Sequence, residues 1–316
     1  MKTFIGIDIA KNKFDVALLR DEKYFSKVFS NTLTGFNEFL TWLDKHTTYN
    51  LHACLEATGD YGTALATFLF EENIKVSVIN PAQIKGFAKS ELTRTKNDKT
   101  DAKIIARFCR AITPPAWQPL PEPVRQLQSL SRRLDALNEM LRMELNRFEG
   151  ANVVTRDSLD KTIAFLKEEI RFVRKKISVH IDENPTLREK KELLKTIPGI
   201  GDATITQILS FIVGRDFKKA KEVAAYLGLN PQQHESGHSV KGKTRLSKTG
   251  DSRLRAAFYM PAIVSMRYNP VIQQFSQRLI AAGKPKMLVV GAVMRKLVHI
   301  VYGVLKSGQV FRAELT

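Results

Sequence analysis

Cysteine is nearly absent: Cys54 and Cys109 are the only two in 316 residues, with no CxxC pair and no Cys/His spacing of the zinc-site kind. A disulfide framework is excluded, and a reducing compartment is the expected setting. No run of 18 uncharged apolar residues occurs, so no membrane-spanning helix is expected. The opening MKTFIGIDIAKNKFD carries charges where a secretory signal needs its apolar run. Internal repeats and low-complexity tracts are also missing. Acidic residues are scarce relative to basic ones, 32 against 50, which leaves a formal net charge of +18.

What is present is a foldable composition, 43% hydrophobic and 26% charged, long enough for two or more domains each with its own core. The positive charge is uneven. Residues 231–316 hold 14 Lys and Arg against 3 Asp and Glu, a field that favours polyphosphate through counterion release. A basic surface that merely keeps the protein soluble is the plainer alternative.

The hydrophobic period changes along the chain. Residues 3–9, 14–19 and 24–30 are β-rich runs between polar breaks and predict an antiparallel meander. A helix over 35–46, a strand over 51–57, a helix over 63–72 and a strand over 75–81 follow, then a helix over about 99–112. Three strands followed by alternating helix and strand is a ribonuclease-H-like, α/β order. Prolines 114, 115, 119, 121 and 123 mark a linker. Beyond them Leu127, Leu130, Leu134, Leu137 and Leu141, then Leu159, Ile163, Leu166, Ile170, Val173 and Ile177, recur in steps of three and four. Two heptad helices separated by 150–158 are predicted, as an oligomerising coiled coil or as part of an ordinary bundle core. From about residue 185 the chain reads as mostly helical. The expected domains are therefore 1–113, 114–184 and 185–316.

Four acids stand out by their surroundings. Asp8 lies inside the apolar run FIGIDIA and Glu56 ends LHACLEA, where an unpartnered carboxylate is costly. Asp98 and Asp101 lie three apart at a predicted helix start, so they share one side. Carboxylates at strand ends and a helix start suit a pair of Mg²⁺ ions acting on a phosphodiester. Each also has a local explanation: helix capping for Asp98 and Asp101, a strand-end turn for Asp8, and a Lys or Arg partner for Glu56.

Two further segments point to phosphate. IPGIG (197–201) resembles the hairpin of a helix–hairpin–helix element, in which Gly199 and Gly201 let backbone amides approach a DNA phosphate; a tight interhelical turn is the alternative. HESGHSVKGKTRLSKTGDSRLR (234–255) has five hydroxyl side chains before Gly250 among the cations Lys241, Lys243, Arg245, Lys248 and Arg253. Such cations stabilise phosphoryl oxygens during attack by a hydroxyl, although composition alone favours a flexible phosphate-binding loop. His234 and His238 are four apart without the further ligands of a zinc site.

IGIDIAKNKFDV (5–16), CLEATGDY (54–61), VSVINPAQIKGFAKS (76–90), TKNDKTDAKIIARFC (95–109), IPGIG (197–201), AAYLGLNPQQHESG (224–237) and RLSKTGDSRLRAAFYMPA (245–262) occur in one order. Together they resemble the transposases of insertion-sequence family one hundred and ten, the bridge-RNA-guided DNA recombinases, over nearly the whole chain. The resemblance implies a RuvC-like N-terminal domain with an Asp-Glu-Asp-Asp metal site, a coiled coil, and a C-terminal transposase domain with a catalytic serine. Motif by motif, the acids are Asp8, Glu56, Asp98 and Asp101, and the nucleophile is Ser236 in HESG. It further implies Mg²⁺ as cofactor, a phosphoserine intermediate, and a site in which the serine of one protomer faces the acids of another. The implied partners are a non-coding bridge RNA, donor and target double-stranded DNA, and further copies of the chain as dimer and tetramer, acting in the bacterial cytoplasm on the nucleoid. Two other functions fit the residues taken singly. One is a Holliday-junction endonuclease using the four carboxylates and water; the other is a non-catalytic nucleic-acid-binding assembly protein.

Overall fold

The computed structural model describes residues 3–46, 50–57, 59, 61–91, 98–232, 235–236, 240–241 and 245–313, with backbone alone for Lys99, Glu235, Ser236, Val240 and Lys241. The chain divides into two compact units, Met1–Pro119 and Leu120–Thr316.

In the first unit β1 (Thr3–Ile9), β2 (Lys13–Arg20) and β3 (Lys23–Ser30) form the expected antiparallel meander. Asp21 and Glu22 connect β2 to β3, both left-handed at φ 48 and 63, which matches the twist of a two-residue hairpin. Next come α1 (Leu33–Lys45), β4 (Leu51–Glu56), α2 (Thr63–Glu71), β5 (Lys75–Ile79), α3 (Pro81–Ser90) and α4 (Asp98–Ile112). The sheet order is β3-β2-β1-β4-β5, with β4 parallel to both β1 and β5. This mixed sheet is consistent with a ribonuclease-H-like domain.

Helix α3 was not among the expected elements. Its signal is local: Asn80 Oδ1 accepts from the Ala82 N–H at 2.9 Å and Pro81 takes the first helical position, where its missing N–H costs nothing.

The two faces of the sheet bury different helices. Ile5, Ile7, Phe14 and Val16 pack with Phe36 and Phe39 of α1 and Leu65 of α2. Phe4, Cys54 and Ile79 pack with Ile84 of α3 and Ile105 and Phe108 of α4. Side chains alternate along a strand, so the series Phe4–Gly6–Asp8 and His52–Cys54–Glu56 both address the α4 side.

Gly6 sets how closely α4 approaches. A Cβ at Gly6 would lie 2.0 Å from the Ala102 carbonyl oxygen and 2.3 Å from the Ala106 nitrogen. Both are helix backbone and neither can turn aside. Gly6→Ala is expected to push α4 off the sheet, to destabilise the first unit by about 2 kcal/mol or more on the scale of core overpacking, and to displace Asp98 and Asp101 at the start of α4. Thermal melts checked against Gly86→Ala, whose Cβ meets nothing within 4 Å, separate this backbone clash from a general glycine effect.

The second unit begins with α5 (Glu122–Glu149) and α6 (Val153–Glu183), which pack against each other. The interhelical break is shorter than the expected 150–158. Asn152 Oδ1 accepts from the Val154 N–H at 3.3 Å and starts α6 there. Leu127 and Leu137 of α5 and Leu166, Ile170, Val173 and Ile177 of α6 are buried in one cluster with the C-terminal helices. The heptad seam is thus filled inside a single chain. A second apolar series on α6, Phe165, Phe172 and Val179, has the same sevenfold spacing and is exposed.

Then follow α7 (Pro185–Lys195), α8 (Asp202–Phe211), α9 (Ala220–Tyr226), four two-residue strands β6 (Pro231–Gln232), β7 (Glu235–Ser236), β8 (Val240–Lys241) and β9 (Arg245–Leu246), and α10 (Ser252–Ala257), α11 (Tyr259–Tyr268), α12 (Pro270–Ala281) and α13 (Lys286–Ser307). Helix α13 is long and apolar enough to cross a bilayer. It is a core helix instead: Val289, Val293, Leu297 and Val301 are fully buried, and it packs against α7, α9, α11 and α12.

Candidate active site and nucleic-acid interface

The strand register brings the first two acids together. Parallel β1 and β4 pair Ile7 with Leu55, so Asp8 and Glu56 are the next pair at the carboxyl ends of adjacent strands. Asp98 and Asp101 form the first turn of α4, the helix that Gly6 seats on β1. The electrostatics report the convergence. Burial first, then Asp101, Asp98, Glu56 and Asp15, together push the Asp8 carboxyl up to about 6. The structure therefore groups the other three expected carboxylates around Asp8.

Two members of this cluster were not foreseen. Asp15 stands directly across the antiparallel pair from Asp8, an arrangement of like charges that is unfavourable unless compensated. Lys13 supplies the compensation: its Nζ donates to Asp15 Oδ2 at 3.0 Å and to Asp98 Oδ2 at 2.7 Å. That contact holds the exposed Asp98 below the usual carboxylate range and raises the Lys13 ammonium above its ordinary value. Asp8 and Asp15 meet through the register of the hairpin IDIAKNKFD, which sets them opposite each other. Five carboxylates with one ammonium among them is a donor set that fits a hard, oxygen-seeking cation.

Ser236 lies in a polar arm with some regular backbone, where only a loop was expected. β6 pairs antiparallel with β9, matching Pro231 to Leu246 and Gln232 to Arg245. β7 pairs antiparallel with β8, matching Glu235 to Lys241 and Ser236 to Val240. Ser236 is thus the last residue of β7. His234, His238 and Lys243 lie outside the described residues, as does the Lys241 side chain.

The remaining expected phosphate contacts divide by exposure. IPGIG does link two helices, α7 and α8. Gly199 is at φ 97, and a Cβ there would lie 2.1 Å from Ser265 Oγ, so this glycine is required by packing against α11. Gly201 is exposed, with open space around it, and precedes the first turn of α8. Arg245 and Lys248 are exposed. Arg253 is half-buried: it donates to Asp135 Oδ2 at 3.2 Å and its guanidinium sits 4.0 Å from the centre of the Phe211 ring.

With these positions fixed, the comparisons with known proteins are decisive. Residues 5–151 match a DEDD transposase model of IS110 type, and residues 191–277 match the transposase IS116/IS110/IS902 family. The chain is 37% identical over 314 residues to the pilin gene-inverting protein of Moraxella bovis, covering 98% of each. The chain belongs to the IS110 family of transposases. The pilin gene-inverting protein of Moraxella lacunata is similar to the same extent, 37% over 314 residues. A protein of insertion element IS110 from Streptomyces coelicolor is 23% identical over 159 residues, half of this chain and 38% of that one. Within this IS110-family chain, the first matched segment spans Asp8, Glu56, Asp98 and Asp101, and the second spans Gly199, Gly201 and Ser236. Membership makes it a DNA-acting transposase or recombinase.

Proposed function

We propose that this IS110-family protein is an RNA-guided DNA recombinase that cuts and rejoins DNA through a phosphoserine intermediate, excising and inserting an insertion sequence. The observation that carries the reading is the grouping of Asp101, Asp98 and Glu56 around Asp8, whose carboxyl is pushed up to about 6 by burial together with these neighbours. Asp8, Glu56, Asp98 and Asp101 would hold Mg²⁺. When bound, the ion supplies charge neutralisation at the reacting phosphate.

The chain's own residues account for the rest. Ser236 Oγ gives up its proton and forms a bond to phosphorus as the bond from phosphorus to a deoxyribose oxygen breaks; that oxygen takes up a proton. One phosphodiester replaces another, so the serine-linked strand retains the energy needed for rejoining. Attack by the hydroxyl of an exchanged strand reverses the step and frees Ser236. Exposed Arg245 and Lys248 bind backbone phosphates, and the Gly201 end of α8 offers amides to another. In this reading a bridge RNA pairs with donor and target DNA, so sequence is read by base pairing and the protein holds shape and backbone. Serine and acids come from different protomers of a dimer or tetramer, whose contacts would draw on the exposed series Phe165, Phe172 and Val179.

A second reading of the outcome is inversion of a DNA segment between two sites. It is favoured by the 37% identity, over 98% of both chains, to proteins named for pilin gene inversion. The bond chemistry is the same; only the orientation of the recombining sites differs.

Sequencing RNA that co-purifies with the full-length protein tests the guidance claim. A structured non-coding RNA from DNA flanking the gene is expected, and only bulk cellular RNA contradicts it. For the backbone contacts, the double variant Arg245→Gln/Lys248→Gln is expected to weaken binding evenly across DNA sequences. The salt slope should fall by roughly two phosphate equivalents. An unchanged slope in a filter-binding titration would show that neither cation reaches phosphate.

A further inference from the structure

We propose that His52, Cys54 and Cys109 form a buried site for a thiophilic divalent cation of the zinc class, linking β4 to α4. The three residues offer an imidazole nitrogen and two sulfurs that all lie within 4.8 Å of one another, and all three are buried. No sequence spacing announces this site, because Cys109 reaches it from a different element. His52 and Cys54 are two apart on β4 and so share the α4 side, where Cys109 comes from the helix.

The imidazole is held in the ligating state by its surroundings. Ser77 has one hydroxyl proton, directed at the Pro115 carbonyl oxygen at 2.7 Å and the Pro114 carbonyl oxygen at 3.2 Å. At its 2.8 Å contact with His52 Nε2, the Ser77 oxygen must therefore accept. Nε2 carries the proton, and Nδ1 is left with a lone pair. An outer hydrogen bond that fixes the tautomer and ring orientation is the usual companion of a metal-binding histidine. Cys109 Sγ interacts with the Cys54 thiol and makes a weak 3.4 Å contact to the His52 carbonyl oxygen, which is a further donor beside the site.

Charge and size select the cation. Two thiolates with one divalent ion are neutral, which suits walls made of Phe4, Ile79, Ile105 and Phe108. Sulfur and imidazole ligands disfavour Mg²⁺, so a hard cation at the carboxylates and a soft one here would not compete. Tetrahedral zinc bonds set ligand separations of roughly 3.5–3.8 Å, so ligand atoms that lie within 4.8 Å of one another need to draw together by about 1.3 Å at most. The bound ion would clamp the strand carrying Glu56 to the helix carrying Asp98 and Asp101.

The test uses full-length protein, kept reduced, stripped with chelator and titrated with Cd²⁺ as probe. Ultraviolet thiolate-to-cadmium absorbance is expected to saturate at one equivalent per chain and to persist in excess Mg²⁺. Asp8→Asn should leave it unchanged, which separates this site from the carboxylates. Cys54→Ser and Cys109→Ser should each lose the absorbance while circular dichroism shows them folded. His52→Gln, which keeps both sulfurs, should bind Cd²⁺ about tenfold or more weakly. Zn²⁺ should raise the melting temperature of the native protein and not that of Cys109→Ser. No thiolate absorbance in the native protein, or undiminished absorbance in Cys109→Ser, overturns the proposal.

Discussion

Replacing Ser236 with Ala is expected to abolish recombination while leaving the protein folded and bound to nucleic acid. The substitution removes one hydroxyl from the last paired residue of β7, whose backbone pairing to Val240 does not use it. If Ser236 is the nucleophile, the loss in rate should be roughly a thousandfold or more, the scale seen when a nucleophile is deleted from an otherwise intact site. Scoring recombinant junctions by PCR, beside DNA binding by the same variant, separates chemistry from affinity. Junctions at native frequency would instead favour hydrolysis by the carboxylates and water, the Holliday-junction endonuclease reading.

Asp8→Asn is expected to be inactive and, without added metal, more stable than the native protein. The sign follows from its carboxyl. Its ordinary value is 3.8, and burial with the neighbouring acids raises it to about 6 in the folded state. Between those values the folded chain holds more protons than the unfolded one, so native stability falls as pH rises through that window. Asn carries no charge to crowd against Asp101, Asp98 and Glu56. The variant's melting temperature should therefore exceed the native one above about pH 6, with the gap closing towards pH 4 and also on adding Mg²⁺ to the native protein. An equal gap at both pH values would mean that the carboxylates do not repel one another as described. Recombination in Asp8→Asn at native rate would favour an assembly protein whose acids have no part in chemistry.

Much of this was legible in the sequence, and what was missed has identifiable causes. Asp8 and Glu56 were conspicuous because each interrupts an apolar strand, and Asp98 and Asp101 because three-residue spacing at a helix start is a local property. Lys13 and Asp15 were missed because their role depends on which strand residues face each other, and Asp8 meets Asp15 only through the hairpin register. The cluster of His52, Cys54 and Cys109 escaped for the same reason at longer range. The leucine heptads predicted their helices well but could not name their partner. An apolar seam is filled equally by a neighbouring chain or by the chain's own next helix, and here Leu137 and Ile170 are buried at home. Arg253 illustrates the limit of reading charge as surface, since Asp135 and Phe211 hold its guanidinium within the fold.

The central claim is that Ser236 and the acidic cluster act on one phosphate. A denaturing gel of end-labelled DNA incubated with the protein, bridge RNA and Mg²⁺ measures this directly. The native protein should give a covalent protein–DNA band; Ser236→Ala and Asp101→Asn should each give none, and the two variants mixed should restore part of it, because a mixed assembly holds one site with an intact serine and intact carboxylates. A band of native strength from Ser236→Ala alone, or none from the native protein, would contradict the account.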